Sequence, residues 1–192
     1  MRAYDRRYFR GVLLDEYTIA WVHAMERKLG AKIDPIQGSY NVGGVSASGG
    51  THDGGGAIDF WCYGKPIPKV VNASREVGGD AWHRQDLPGV WTEHIHAIIR
   101  GNKKLSSSAQ WQDGPLEWRA SPGGDGLTGG TPDPNQYHPK HDFDYAGWIA
   151  AEQQKNLITR LTHKAGALAR ELKHVRHLRK LAIDKRKRLL HD

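Results

Sequence analysis

Between positions 15 and 29 apolar residues return at spacings of three and four. Ile19, Val22, Met25 and Leu29 share one helical face, Asp15 or Thr18 can cap the start, and Gly30 can end it. The period then shortens. Ile33 to Tyr40, entered through Pro35, predicts a short strand, and Ala57 to Cys62 predicts another. Residues 66–78 predict a helix with Pro66 and Pro68 near its start and Val70, Val71 and Ala73 along it. Asp80 to Arg84 and Val90 to Ile99 predict two more strands, joined by a turn at Asp86–Gly89. Residues 41–56 are rich in Gly and Ser, with glycine pairs at 43–44 and 49–50 and a triplet at 54–56, which predicts a loop. Because it ends in a potential ligand directly before a strand, this loop reads as the wall of a site.

Residues 101–142 are polar, with Ser106–Ser108, Pro122–Gly124 and Gly129–Pro132, and predict a long surface excursion or linker. From Tyr145 the pattern is helical to the end. Ile158, Leu161, Ala165, Leu168, Leu172 and Val175 alternate spacings of three and four, an a/d seam of about two and a half heptads. The seam changes register at Leu178, and the helix runs into Lys185–Arg188. The expected fold class is therefore α+β: a small antiparallel sheet with flanking helices, plus a long C-terminal basic helix. The expected segments are 1–100, 101–144 and 145–192.

Charge sharpens that division. Residues 151–192 hold 12 Lys+Arg against 4 Asp+Glu, a net of +8, whereas the whole chain is +7, so residues 1–150 carry 16 − 17 = −1. The basicity belongs to the tail. Three uses suit such a helix: packing its seam on the domain, self-association as a short coiled coil, or binding an anionic wall polymer or membrane surface. Nucleic acid is the weakest partner, because neither a DNA-binding module nor an RNA-reading aromatic signature accompanies the charge. Mean hydropathy is −0.67, polar for a compact globule, so part of the length is expected to lie outside a core. Seven Trp against three Phe suit core and rim packing, and also carbohydrate or peptide grooves. Cys62 stands alone, which excludes an intramolecular disulfide and a thiolate zinc cluster, and its neighbours Ile58, Phe60 and Trp61 predict a buried, inert thiol. The first residues lack an apolar signal-peptide core, and no stretch approaches the ~20 apolar residues that span a bilayer. The expectation is a protein made in the cytosol without an export address, which reaches the cell wall only when something else releases it.

One pair of segments proposes definite chemistry. Thr51, His52 and Asp53 lead through Gly54, Gly55 and Gly56 to Asp59 in the following strand, and Thr92, Glu93, His94, Ile95 and His96 come later. Two or three imidazoles, a ligating carboxylate and a spare glutamate make up the inventory of a hydrolytic zinc site. The step from His52 to Asp59 is wrong for one helix face but fits a glycine turn that folds a loop residue over a strand residue. His94 and His96 share a strand face, so Asp59 and His96 meet if their strands are neighbours. Glu93 and His96, three apart, fall on opposite faces of a regular strand. That requires a bulge, or passes more of the catalytic role to His94.

These motifs resemble a known family. His52, six residues and Asp59, followed by Glu93, His94, Ile95 and His96, resemble the motifs of the zinc D-Ala-D-Ala carboxypeptidases (VanY/VanX type) and L-alanyl-D-glutamate endopeptidases, which share the hedgehog/DD-peptidase fold. Gly56, Ala57, Ile58 and Asp59 resemble the family's approach to its second ligand, and the similarity covers roughly residues 12–100. The resemblance implies that His52, Asp59 and His96 bind Zn2+, that Glu93 is the general base, and that His94 steadies the oxyanion, as the first His of a His-x-His does in lysostaphin-like peptidases. Tyr40, Trp82 and Arg84 are the candidate substrate-binding residues beside them. Family members often carry an Arg just after the first strand, where this chain has Gly38, Ser39, Tyr40 and Asn41, and a Ser where this chain has Gly50. Arg84 is the available substitute, and the balance moves toward an endopeptidase. The expected function is a phage endolysin-type peptidase acting on peptidoglycan stem peptides. The alternative is a non-catalytic phage structural or binding module that keeps the fold and works through its basic helix.

Overall fold

Asp15 begins the first helix through its own side chain. Its backbone is extended, and its carboxylate accepts from the Thr18 N–H at 2.8 Å and the Thr18 hydroxyl at 2.6 Å. This satisfies a donor that the first helical turn leaves unpaired. In the computed structural model, which describes residues 2–113 and 141–189, helix α1 runs Glu16–Leu29 and ends on a left-handed Gly30. Both ends match expectation. The two strands before α1 were not anticipated: β1 (Arg6–Phe9) pairs antiparallel with β2 (Val12–Asp15), Phe9 opposite Val12. Arg10 and Gly11 both have positive φ, 49° and 90°, the handedness a two-residue hairpin turn requires.

The chain divides into two units, Met1–Tyr145 and Ala146–Asp192. In the first, β3 (Asp34–Gln37), β4 (Ala57–Trp61), β5 (Gly79–Arg84) and β6 (His94–Ile99) form an antiparallel sheet in the order β3-β4-β6-β5. Helix α2 (Ile67–Glu76) connects β4 to β5. Ile58, Phe60, Ile95 and Ala97 share the parity of the face toward α1, where Trp21 meets Phe60 edge-on at 6.3 Å. Every residue of β6 is buried, as in a strand covered on both faces. The strand expected over Val90–Ile99 starts only at His94. A bridge between Leu87 and Trp91 closes the turn before it. Cys62 is buried, and burial pushes its thiol pKa up, as an inert structural cysteine requires.

Residues 101–113 are not linker. Ser106 caps a short helix, α3 (Ser107–Gln112), accepting from the Ala109 N–H at 3.1 Å. Leu105 and Ala109 join Ala57, Trp82 and Ile98 in a buried cluster on the sheet face opposite α1. The rest of the expected excursion, including Pro122–Gly124 and Gly129–Pro132, lies outside the described residues. The architecture is thus α+β with small antiparallel sheets. Helix α4 spans Tyr145–Leu189 and makes up the described part of the second unit, and its seam residues Ile158, Leu161, Leu168, Leu172 and Val175 are exposed. Among the described residues, no helix is long and apolar enough to cross a membrane.

Candidate metal centre

Gln37, Asp59, His96 and Trp82 form one row across the sheet. Gln37 is the register partner of Asp59, Asp59 of His96, and His96 of Trp82, while Arg84 faces His94 two residues away. Strand alternation therefore puts Asp59, His94, His96, Trp82 and Arg84 on one face. His52 arrives from outside the sheet, on a 3-10 turn (Thr51–Asp53) that the glycine loop folds back over the row. Gly54 makes that return possible. A Cβ there would lie 2.3 Å from both the Lys104 carbonyl oxygen and the Ser106 nitrogen. The loop thus passes against the segment that leads into α3.

His52 Nε2, Asp59 Oδ1 and His96 Nδ1 converge. The separations are 3.2 Å between His52 and Asp59, 3.3 Å between His52 and His96, and 2.7 Å between His96 and Asp59. A tetrahedral ion with bonds of about 2.0–2.1 Å holds its ligand atoms about 3.3 Å apart, so the triangle fits with a small opening of its short edge. All three residues are buried.

The outer nitrogens decide what the inner ones present. His52 Nδ1 lies 2.8 Å from the Gly38 carbonyl, which can only accept, so Nδ1 carries the hydrogen and Nε2 presents a lone pair. His96 Nε2 lies 2.9 Å from Gln112 Oε1 and donates to it, which leaves Nδ1 as the lone pair facing Asp59. Two imidazole lone pairs and a carboxylate oxygen then face one point with no hydrogen among them. That arrangement attracts a cation, and ring N–H groups held by a carbonyl are the usual outer support of metal-binding histidines.

Burial works on these groups from both sides. It pushes the Asp59 carboxyl up, but the His52 and His96 rings packed against it outweigh burial and hold it well below the usual carboxylate range. For His96 burial lowers the pKa and prevails over the Asp59 interaction, so the ring is neutral and Asp59 is ionised. Those are the protonation states a metal ligand needs.

The centre opens into a cavity of about 70 Å³ lined by, among others, Ser48, Arg84, Trp91 and His94, room for an ion and one or two waters. His94 Nδ1 donates to the Thr92 carbonyl at 2.6 Å, and its Nε2 sits 3.7 Å from Asp59 Oδ2. Glu93 is not brought into the cavity. It precedes β6 with the parity of Ile95, its side chain is 47% exposed, and its carboxylate meets His83 Nε2 at 2.9 Å. No bulge turns it inward. Trp82 is buried and stacks on His96 with ring centroids 6.1 Å apart, so it braces a ligand rather than facing a groove. Tyr40 also stays outside the cavity. Its hydroxyl donates to Asp15 Oδ2 at 2.8 Å, and Arg6 lies 3.7 Å over its ring. Arg84 does line the cavity and is buried, although a lone Arg on a polar strand end reads as a solvated one.

Sequence patterns missed Gln112, Trp91 and Ser48. Ser106 was the available signal for Gln112: a Ser that reads as loop composition is also a helix cap. No family model, no curated protein and no solved structure matches this chain.

Proposed function

We propose that the chain is a zinc-dependent peptidase that hydrolyses peptidoglycan stem-peptide amide bonds involving D-amino acids, in the setting of phage lysis or cell-wall degradation. The convergence of His52 Nε2, Asp59 Oδ1 and His96 Nδ1, each outer ring nitrogen tied to a carbonyl, carries this proposal. Two neutral imidazoles and one carboxylate suit Zn2+ and leave a fourth position open. The order of the motifs, with its resemblance to the D-Ala-D-Ala and L-alanyl-D-glutamate peptidases, supports the substrate class.

Bound zinc supplies a Lewis acid that polarises a carbonyl and makes water more acidic. The chain supplies the rest. Gly38 and Gln112 fix the two ligand rings, and Trp82 backs the plane of His96. His94 Nε2, beside Asp59, accepts the proton of the attacking water and returns it to the leaving amine. The role of base falls to His94 because Glu93 is engaged by His83 outside the cavity. The Arg84 guanidinium in the wall places positive charge where an oxyanion or a substrate carboxylate needs it.

Digestion of purified peptidoglycan tests the proposal. The expected result is release of new amino groups that stops with chelator and resumes on adding zinc. Stoichiometric zinc with no release from any of several wall chemistries overturns the enzyme and leaves a metal-stabilised binding module.

A further inference from the structure

Helix α4 has a patterned surface of its own. Leu157, Ile158, Leu161, Leu168, Leu172, Val175 and Leu178 are each at least half exposed. From Ile158 to Val175 the stripe spans about 27 Å at 1.5 Å per residue. Contiguous exposed apolar surface of this kind marks an interaction site.

We propose that α4 pairs antiparallel with α4 of a second copy of this chain. Take Ile158, Ala165 and Leu172 as a positions and Leu161, Leu168 and Val175 as d positions. Antiparallel helices set a against d. Ile158 then meets Val175 of the second copy, Leu161 meets Leu172, and Ala165 meets Leu168, each layer occurring twice by symmetry. A small residue faces a large one at the centre, which fills the layer. At the flanking g positions Lys164 faces Glu171 of the second copy and Leu157 faces Leu178, so one ion pair and one apolar contact close each side. Lys155 against Arg176 is the single unfavourable pair.

The parallel arrangement of the same helices fits worse. It sets Ala165 against Ala165 and leaves a gap, sets Arg179 against Arg179 at the next a position, and lays the two Lys185–Arg188 runs side by side. Antiparallel pairing sends those runs to opposite ends and places Arg179 against Gln154. With a net of +8 on residues 151–192, separating the runs decides the orientation.

Light scattering on the full chain tests this, together with three variants. The expected mass is twice 21.5 kDa, falling toward one chain on dilution. Leu168→Asp gives a monomer that still binds metal. Lys164→Glu sets carboxylates against each other and weakens the dimer several-fold, and Lys164→Glu combined with Glu171→Lys restores it. Parallel helices predict the reverse: the first variant is neutral, because Lys164 then faces Ala169, and the double variant weakens pairing. A wild-type monomer at every concentration overturns the proposal, whether or not it binds phosphatidylglycerol vesicles. So does the parallel pattern among the variants.

Discussion

Gln112 Oε1 accepts from His96 Nε2 at 2.9 Å, and the opposite nitrogen of the same ring faces Asp59 at 2.7 Å. A residue from a six-residue helix beyond the sheet therefore sets which nitrogen His96 turns toward Asp59 and the candidate metal position. Outer partners of this kind are commonly worth about 10–100-fold in metal affinity. Gln112→Met keeps volume and removes the acceptor. The expected outcome is a zinc Kd weaker by roughly that factor with one site retained, read by competition with a chromophoric chelator.

His94 and Glu93 have different surroundings, and the variants separate them. His94→Ala is expected to lower peptide hydrolysis by about 10²–10⁴-fold while metal content holds, since proton transfer is lost and no ligand is removed. Glu93→Gln is expected to cost far less, because that carboxylate pairs with His83 on the other parity of the strand. Full loss in Glu93→Gln with activity retained in His94→Ala assigns the base to Glu93.

Acid acts on the metal-free protein in one direction. His96 has a folded pKa below its unfolded value, so the unfolded chain binds more protons as pH falls and stability declines. The decline begins near the ordinary His value of about 6.5 and continues toward the lower folded value. Asp59, depressed below its unfolded value, adds a second loss at still lower pH, as the medium drops through the carboxylate range. Urea midpoints of chelator-treated protein between about pH 7 and 5 are expected to fall, and His96→Gln is expected to flatten the slope. A wild-type midpoint independent of pH contradicts the neutral, buried His96.

Gly54 tests the link between loop and support. Adding a Cβ against the Lys104 and Ser106 backbone forces the segments apart, at a cost of about 1–3 kcal/mol. Gly54→Ala is expected to lower the melting temperature and to weaken metal binding, because the displaced strand of chain leads into Gln112. A normal metal affinity in a destabilised Gly54→Ala protein uncouples the two.

Much of this centre is legible in the chain before it folds. Period-two alternation placed His94 and His96 on one face, and the glycine step allowed His52 to reach Asp59. The same alternation separated Glu93 from His96, and the structure keeps that parity. Gln112 was hidden because its helix is short and opens on serines that look like loop. Trp82 reads as a groove residue by composition, but its register opposite His96 places it under the ligand, packed on Ala109 and Leu105. The β1–β2 hairpin was missed because its four-residue strands carry Arg6 and Arg7, and its turn uses Arg10 rather than Asn or Asp at positive φ.

Metal content per chain tests the account most directly. Purified protein, stripped by chelator, loaded with zinc and dialysed, is predicted to hold one zinc per chain, and His96→Ala and Asp59→Ala proteins that remain folded are predicted to hold none. Wild-type protein that binds no zinc, or a folded His96→Ala protein that keeps it, contradicts the assignment of His52, Asp59 and His96 as a metal centre.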